Sequence, residues 1–204
     1  MMEFMKAVIV DVSPDMIEER RRKGIDRFDE VWEGVYHMVP PPAFEHQKVV
    51  TGSAALFVPY VRQHRLGVLY LGLGVRDVSW GEKNYRIPEW IFLRAGREHL
   101  LKPESGYVDE GPDVVLEVRS PGDETDEKIP FYEKVGVREL VLVDRNSRRV
   151  EILRLAGSRF SHVSPNADGW IYCEGLRAFF RTAEREGKPA LLVRLELEGT
   201  EHAI

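Results

Sequence analysis

The segment PDVVLEVRS (112–120) carries the first group in this chain whose placement invites chemistry. Bounded by Gly111-Pro112 on one side and Ser120-Pro121-Gly122 on the other, it reads as a strand, in which successive side chains alternate between faces. Val114, Leu116 and Val118 then share one wholly apolar face, and Asp113, Val115, Glu117 and Arg119 share the other. Such a strand belongs in the middle of a sheet, so Glu117 is a carboxylate on a rigid element where an unpartnered charge is expensive. Two arrangements would offset that cost: an ion pair with Arg119 or with an arginine of a neighbouring strand, or a bound metal ion.

A second acid stands in NYRIPEWIFLR (84–94), where Glu89 precedes the apolar run Trp90, Ile91, Phe92, Leu93 at the entry of another strand. A hairpin connection through residues 94–111 would lay the two strands side by side, about 5 Å apart, and let Glu89 and Glu117 converge on one ion. Asp113 would not join them, because four residues along a strand is about 13 Å. Its expected role is to cap or orient the Gly111-Pro112 turn. Oxygen ligands with no Cys or His at zinc spacing point to Mg²⁺ or Mn²⁺. Lys128, in the first turn of the next helix, supplies a cation that could reach back over the pair and stabilise charge on a phosphate, as a metal-dependent phosphodiester hydrolase requires. A surface ion pair with Asp123, Glu124 or Asp126 is the alternative for Lys128. Glu45 is expected to be an N-terminal helix glutamate favoured by the dipole, although it is also a candidate third acid. His37 and His46 have no spaced partners and are expected to make ordinary surface hydrogen bonds.

The elements that must position these groups follow from periodicity and breakers. KAVIVDV (6–12) reads as a short strand, and MIEERRRKG (16–24) as a charged helix whose RRRK run is either a solvated face or a phosphate contact. FDEVWEGVYHMV (28–39) reads as a β-hairpin turning at Glu33-Gly34. After Pro40-Pro41-Pro42, apolar residues at Val49, Val50, Ala54, Leu56, Phe57 and Val61 have helical spacing. LGVLYLGLGVRD (66–77) reads as one strand or two, and NYRIPEWIFLR as another. DEKIPFYEKVG (126–136) returns to helical spacing, with Pro130 tolerated in the first turn and Gly136 as terminator. RELVLVD (138–144), RRVEILRL (148–155) and ALLVRLELE (190–198) are strands, the first two joined by a turn at Asp144-Arg145-Asn146-Ser147.

The 204 residues are 43% hydrophobic and 31% charged, which excludes bulk disorder and leaves enough apolar surface for a substantial core. The net charge of −5 excludes a globally basic nucleic-acid binder. Cys173 is the lone cysteine, so there is no internal disulfide. With no secretory pattern at the N-terminus and no apolar run near the roughly 20 residues that span a bilayer, the expectation is a cytoplasmic protein that does not enter membranes. With no linker or internal repeat, residues 1–204 are expected to form one domain.

EGVYHMVPPPAFEHQKVV (33–50), Pro88-Glu89 and GPDVVLEVRSPGDETDEKIPFYEKVGVRELVLVD (111–144) together resemble the Uma-type family of putative restriction endonucleases, a branch of the PD-(D/E)XK nuclease superfamily. The resemblance covers residues 28–155 and is most specific from the Glu117 strand through Leu140. It implies an α/β (α+β) restriction-endonuclease-like core, a central mixed β-sheet flanked by helices, with an N-terminal strand and helix and a C-terminal extension (156–204). It puts the family's two acids at Glu89 and Glu117, and its lysine at Lys128, on the following helix. Three positions depart from the superfamily pattern: Pro-Glu replaces Pro-Asp, which shifts an ion by about 1 Å; Arg119, which cannot serve as a base, occupies the usual lysine position; and Pro130 follows Lys128 closely. The implied function is a Mg²⁺- or Mn²⁺-dependent endodeoxyribonuclease acting on DNA as a homodimer. From the residues themselves, RRRK (20–23) and RNSRR (145–149) are basic clusters able to track a phosphate backbone, and residues 156–204 are expected to extend the sheet and to build a dimer surface through RAFF (177–180). The competing expectation is a binding or regulatory module that keeps the fold and cuts nothing. A two-carboxylate glycoside hydrolase is the third possibility and would have no lysine between its acids.

Overall fold

The computed structural model describes residues 8–9, 13–39, 41–104 and 106–204. Of KAVIVDV, the described pair Val8–Ile9 is a strand, β1, and the rest lies outside the described residues. Helix α1 (Pro14–Lys23) begins where Ser13 accepts the Met16 N–H through its side chain, with Pro14 in the first turn, and ends at Gly24 in the left-handed region. The hairpin of β2 (Glu30–Trp32) and β3 (Val35–His37) turns at Glu33 and Gly34, both at positive φ, as a tight two-residue hairpin requires.

Helix α2 (Phe44–Gln63) buries Val49, Val50, Ser53, Ala54, Phe57, Tyr60 and Val61, the stripe expected from its spacing. The segment after it forms two strands in different sheets, β4 (Gly67–Leu71) and β5 (Gly74–Arg76). NYRIPEWIFLR departs from expectation in the same way. It forms β6 (Tyr85–Arg86), then β7 (Trp90–Arg94) in another sheet, because Pro88 can supply no ladder hydrogen bond. The expected hairpin connection instead contains a 3₁₀ turn and two short strands, β8 (Leu101–Lys102) and β9 (Tyr107–Asp109). After β10 (Val114–Arg119) come a 3₁₀ turn at Asp126–Lys128 and helix α3 (Ile129–Val135), with Pro130 in its first turn and Gly136 as its left-handed cap. Next are β11 (Glu139–Asp144), β12 (Val150–Ala156) and β13 (Arg159–His162). The chain continues through β14 (Ile171–Cys173), β15 (Ala178–Arg185), β16 (Lys188–Leu195) and β17 (Thr200–Ala203).

The central sheet has the order β13-β12-β11-β10-β7-β4 and is mixed, since β10 and β11 run parallel through the α3 crossover while the other pairs are antiparallel. An N-terminal sheet runs β1-β3-β2-β6-β5-β9-β8, and a C-terminal sheet β14-β15-β16-β17. Both faces of the central sheet are covered. Val114, Leu116, Val118, Trp90 and Phe92 pack with α2 and with Phe180, Leu191 and Val193 of the C-terminal sheet. Val115, Ile91, Leu140 and Leu142 pack with Phe131 and Tyr132 of α3 and with Val75 and Val108 of the N-terminal sheet.

The C-terminal extension therefore corrects the expectation. Only β13 lengthens the central sheet; the rest closes on itself and caps one face. Within RAFF, Ala178 and Phe180 are fully buried, so the segment presents to the surface only Arg177, which pairs with Glu196, and part of Phe179.

Candidate active site

Glu117 lies on the face of β10 that meets α3 and the N-terminal sheet, and its side chain is 2% exposed. The antiparallel ladder between β7 and β10 ends at Leu116 opposite Trp90, and Glu89 and Glu117 are the next residues beyond that last pair. The Glu89 carboxylate is close enough to act on Glu117 electrostatically. Its backbone carbonyl accepts the Gly72 N–H at 3.0 Å, which ties this position to the end of β4.

Lys128 is brought against Glu117 from the turn that opens α3. Its ammonium donates to Glu117 Oε1 at 3.1 Å and to Glu30 Oε1 at 2.8 Å. Tyr132, one helical turn further on, donates its hydroxyl to the same Glu117 oxygen at 2.5 Å. Both bonds fall on Oε1, and Oε2 of Glu117 takes none among the described residues.

Burial pushes the Glu117 carboxyl up, the Lys128 ammonium pulls it down, and the carboxylates of Glu89 and Glu30 push it up again, leaving it at about 7. Burial works against charge on Lys128, but Glu117 and Glu30 together overcome it and raise its pKa. The Tyr132 hydroxyl is raised well above its ordinary value by burial and by the same two acids. Two carboxylates, Glu30 and Glu117, thus meet the ammonium of Lys128, the buried guanidinium of Arg86 acts on the same two, and Glu89 acts on Glu117.

On the other flank His46, near the start of α2, places Nε2 2.7 Å from Glu89 Oε1 and Nδ1 3.3 Å from the Ser120 hydroxyl. Both contacts are satisfied when Nε2–H donates to the carboxylate and Nδ1 accepts from Ser120.

Several sequence expectations change here. Arg119 does not pair with Glu117; it forks onto Asp126 at 2.7 Å and meets Glu151 at 3.2 Å. Asp113 stands apart from the acids, as its spacing requires. In place of the expected cap on the Gly111-Pro112 turn, its side chain accepts the Arg94 N–H at 2.8 Å and pairs with Arg97 and Arg138. Glu45 pairs with Lys48 and Arg148 at the start of α2 and does not enter the site. That pairing also removes Arg148 of RNSRR from any phosphate-tracking role, since it is buried against Glu45. In RRRK, Arg20 is tied to Asp29 at 2.6 Å, while Arg21 and Arg22 face solvent.

A family model described as a putative restriction endonuclease matches residues 19–184. The chain belongs to the Uma2 family. The match is wider at both ends than the 28–155 of the resemblance and takes in β14 and most of β15. Among solved structures, this Uma2 chain is similar to a putative nuclease belonging to DUF820 from Anabaena variabilis. The TM-score is 0.57 at 18% identity, over 72% of this chain and 82% of that one. That likeness establishes the restriction-endonuclease-like fold. No curated protein matches the chain. Family membership supports a nuclease that acts on nucleic acid. Among the described residues no helix is long and apolar enough to cross a membrane.

Sequence reasoning missed Glu30, His46 and Tyr132. Tyr132 was legible, since it stands four residues after Lys128 and so shares its helical face. Nothing local marked Glu30, which meets Lys128 across 98 residues. His46 was set aside for want of a spaced partner, and its partner arrives only when α2 packs on the central sheet.

Proposed function

We propose that this Uma2 chain is a metal-dependent endonuclease that hydrolyses phosphodiester bonds of DNA, with Glu89 and Glu117 as metal ligands and Lys128 as the catalytic cation. The juxtaposition of Glu89 and Glu117 at the end of one strand ladder, with the Lys128 ammonium against Glu117, carries this reading.

The residues fit a hard divalent ion. Among the described residues no three His, Cys, Asp or Glu side chains are grouped to hold a metal, so the protein would offer two carboxylates. Mg²⁺ commonly accepts one or two carboxylates and completes its shell with water and substrate phosphate. Glu89 and Glu117 are each braced through Oε1. Burial first, and then the carboxylates of Glu89 and Glu30, hold Glu117 near 7, and a divalent cation would favour its charged form against both. When bound, Mg²⁺ or Mn²⁺ supplies Lewis acidity toward the scissile phosphate and lowers the pKa of an attacking water. Lys128, held as an ammonium between two acids, stabilises charge developing on the phosphate oxygens. Tyr132 and His46 keep the two carboxylates aimed. We infer further that the chain works as a homodimer, presenting one site to each strand of a duplex.

The test is cleavage of supercoiled plasmid by the purified chain in Mg²⁺ or Mn²⁺. Nicking and linearisation are expected, with loss on the order of 10³-fold in Glu117→Ala and roughly 10²-fold in Lys128→Ala. Intact plasmid with every ion, together with a melting temperature indifferent to Mn²⁺, would leave the nuclease-fold binding module as the correct description.

A further inference from the structure

Glu30 comes from outside the β7-β10-α3 unit, yet it is 1% exposed and in contact with the site's cation. Its two oxygens have different tasks. Oε1 accepts from Lys128 Nζ at 2.8 Å and from the Ile87 backbone N–H at 2.7 Å. Oε2 accepts from the Trp32 indole N–H at 2.7 Å. The indole is itself fixed, stacked on His37 with centroids 4.0 Å apart and lying 4.3 Å from the Arg86 guanidinium carbon. With both oxygens engaged and oriented from rigid neighbours, Glu30 is built to hold its contacts in place. Ile87 lies two residues before Glu89, so one carboxylate oxygen joins the Lys128 ammonium to the backbone of the segment that bears the first acid.

We propose that Glu30 is a positioning residue: it sets the distance between the Lys128 ammonium and the Glu89-Glu117 pair while touching neither substrate nor metal. As placed, Lys128 stands between two acids, 2.8 Å from Glu30 and 3.1 Å from Glu117. Without the Glu30 charge the ammonium loses one of its two anchors and swings outward. The Ile87 N–H loses its charged acceptor in the same event. This inference rests on the nuclease reading for its kinetic consequence, but the placement of Lys128 can be measured without any activity.

Glu30→Gln is the informative variant, because it keeps the side-chain volume and removes the charge. Single-turnover plasmid cleavage at saturating DNA is expected to slow roughly 10-fold or more, with apparent DNA affinity and Mn²⁺ affinity by calorimetry each within about threefold of the parent. On a Lys128→Ala background the same change is expected to cost less than about twofold, since two residues that act as a unit do not add. Equal losses in both backgrounds would overturn the proposal. So would abolished Mn²⁺ binding, which would make Glu30 a ligand.

The second measurement is amine acylation of the folded chain, with Lys128 modification followed by mass spectrometry and Lys48 as internal reference. Glu30→Gln is expected to raise the Lys128 labelling rate several-fold, and an unchanged rate would overturn the proposal even if the parent cleaves nothing. A parent that cleaves no DNA but shows the labelling change would sink the nuclease reading and leave the positioning role standing. If Glu30→Gln fails to fold, Trp32→Phe frees Oε2 alone, and faster Lys128 labelling is again the required result.

Discussion

At Glu117, burial and the carboxylates of Glu89 and Glu30 outweigh the pull of the Lys128 ammonium, so the folded chain holds a proton there to about pH 7, against 4.5 for a free glutamate. Between those values the folded state binds more protons than the unfolded state, so this group lowers metal-free stability as pH rises through the window. A cation bound at the carboxylates reverses that sign. The Mn²⁺-induced rise in melting temperature is therefore expected to be larger at about pH 7.5 than at about pH 5, and to vanish in Glu117→Gln, as followed by thermal denaturation across pH. Lys128 shifts in the same sense in a different window: its raised pKa contributes stability that is complete below 10.5 and is lost only in strong alkali. His46→Ala removes the brace on Glu89 and leaves every contact of Glu117 and Lys128 in place. Weaker Mn²⁺ affinity, by roughly 10-fold in calorimetry, is the expected signature of a ligand whose orienting partner is gone.

The segment of β10 and the residue just ahead of it carry two acids with different destinies, and the difference belongs to the element. Asp113 stands just before β10 among Arg94, Arg97 and Arg138; Glu117 lies within it beneath α3. Asp113→Ala is expected to cost about 3 kcal/mol in urea unfolding, by stranding the Arg94 N–H and three guanidinium groups, with cleavage per folded molecule unchanged. Gly111 just ahead of β10 has a related constraint. A Cβ there would stand 2.1 Å from the Gly136 carbonyl carbon, backbone that cannot rotate aside. Gly111→Ala is expected to destabilise by about 3 kcal/mol, measured in the same way. The apolar pattern of β10 and the α2 stripe were both readable, because burial on one face writes a period into the chain. The split of NYRIPEWIFLR between two sheets was not, because Pro88 marks an interruption without saying where the chain goes next. The ion pair imagined between Glu117 and Arg119 failed for a local reason: Arg119 at the strand end reaches Asp126 and Glu151 instead.

For the whole molecule, one apolar cluster joins α2, the central sheet and the C-terminal sheet through Phe57, Trp90, Phe180, Leu191 and Val193. A chain ending at residue 164 would leave Val141, Val143 and Ile152 facing water and is expected to aggregate or to bind a hydrophobic dye. Sedimentation equilibrium tests the homodimer, for which a mass of twice the chain is expected; a monomer that still linearises plasmid would remove it. The net charge of −5 is compatible with a nucleic-acid substrate only if basic groups gather near the site, since association with a phosphate backbone is governed by local charge.

Reading residues in order was enough to place a carboxylate on a central strand, a second at the entry of its neighbour and a lysine on the helix that follows, since each sits inside a segment whose period and breakers define it. The family resemblance, with its mixed sheet and flanking helices, was equally accessible from those motifs. The partners that hold the acids and the lysine in place were not. Glu30 reaches Lys128 from the N-terminal sheet, His46 reaches Glu89 from α2, and the last strands fold into a cap instead of lengthening the central sheet. A hydrogen bond between distant segments leaves no periodic trace along the chain. It exists only once burial has brought the elements together and every enclosed charge must find a partner.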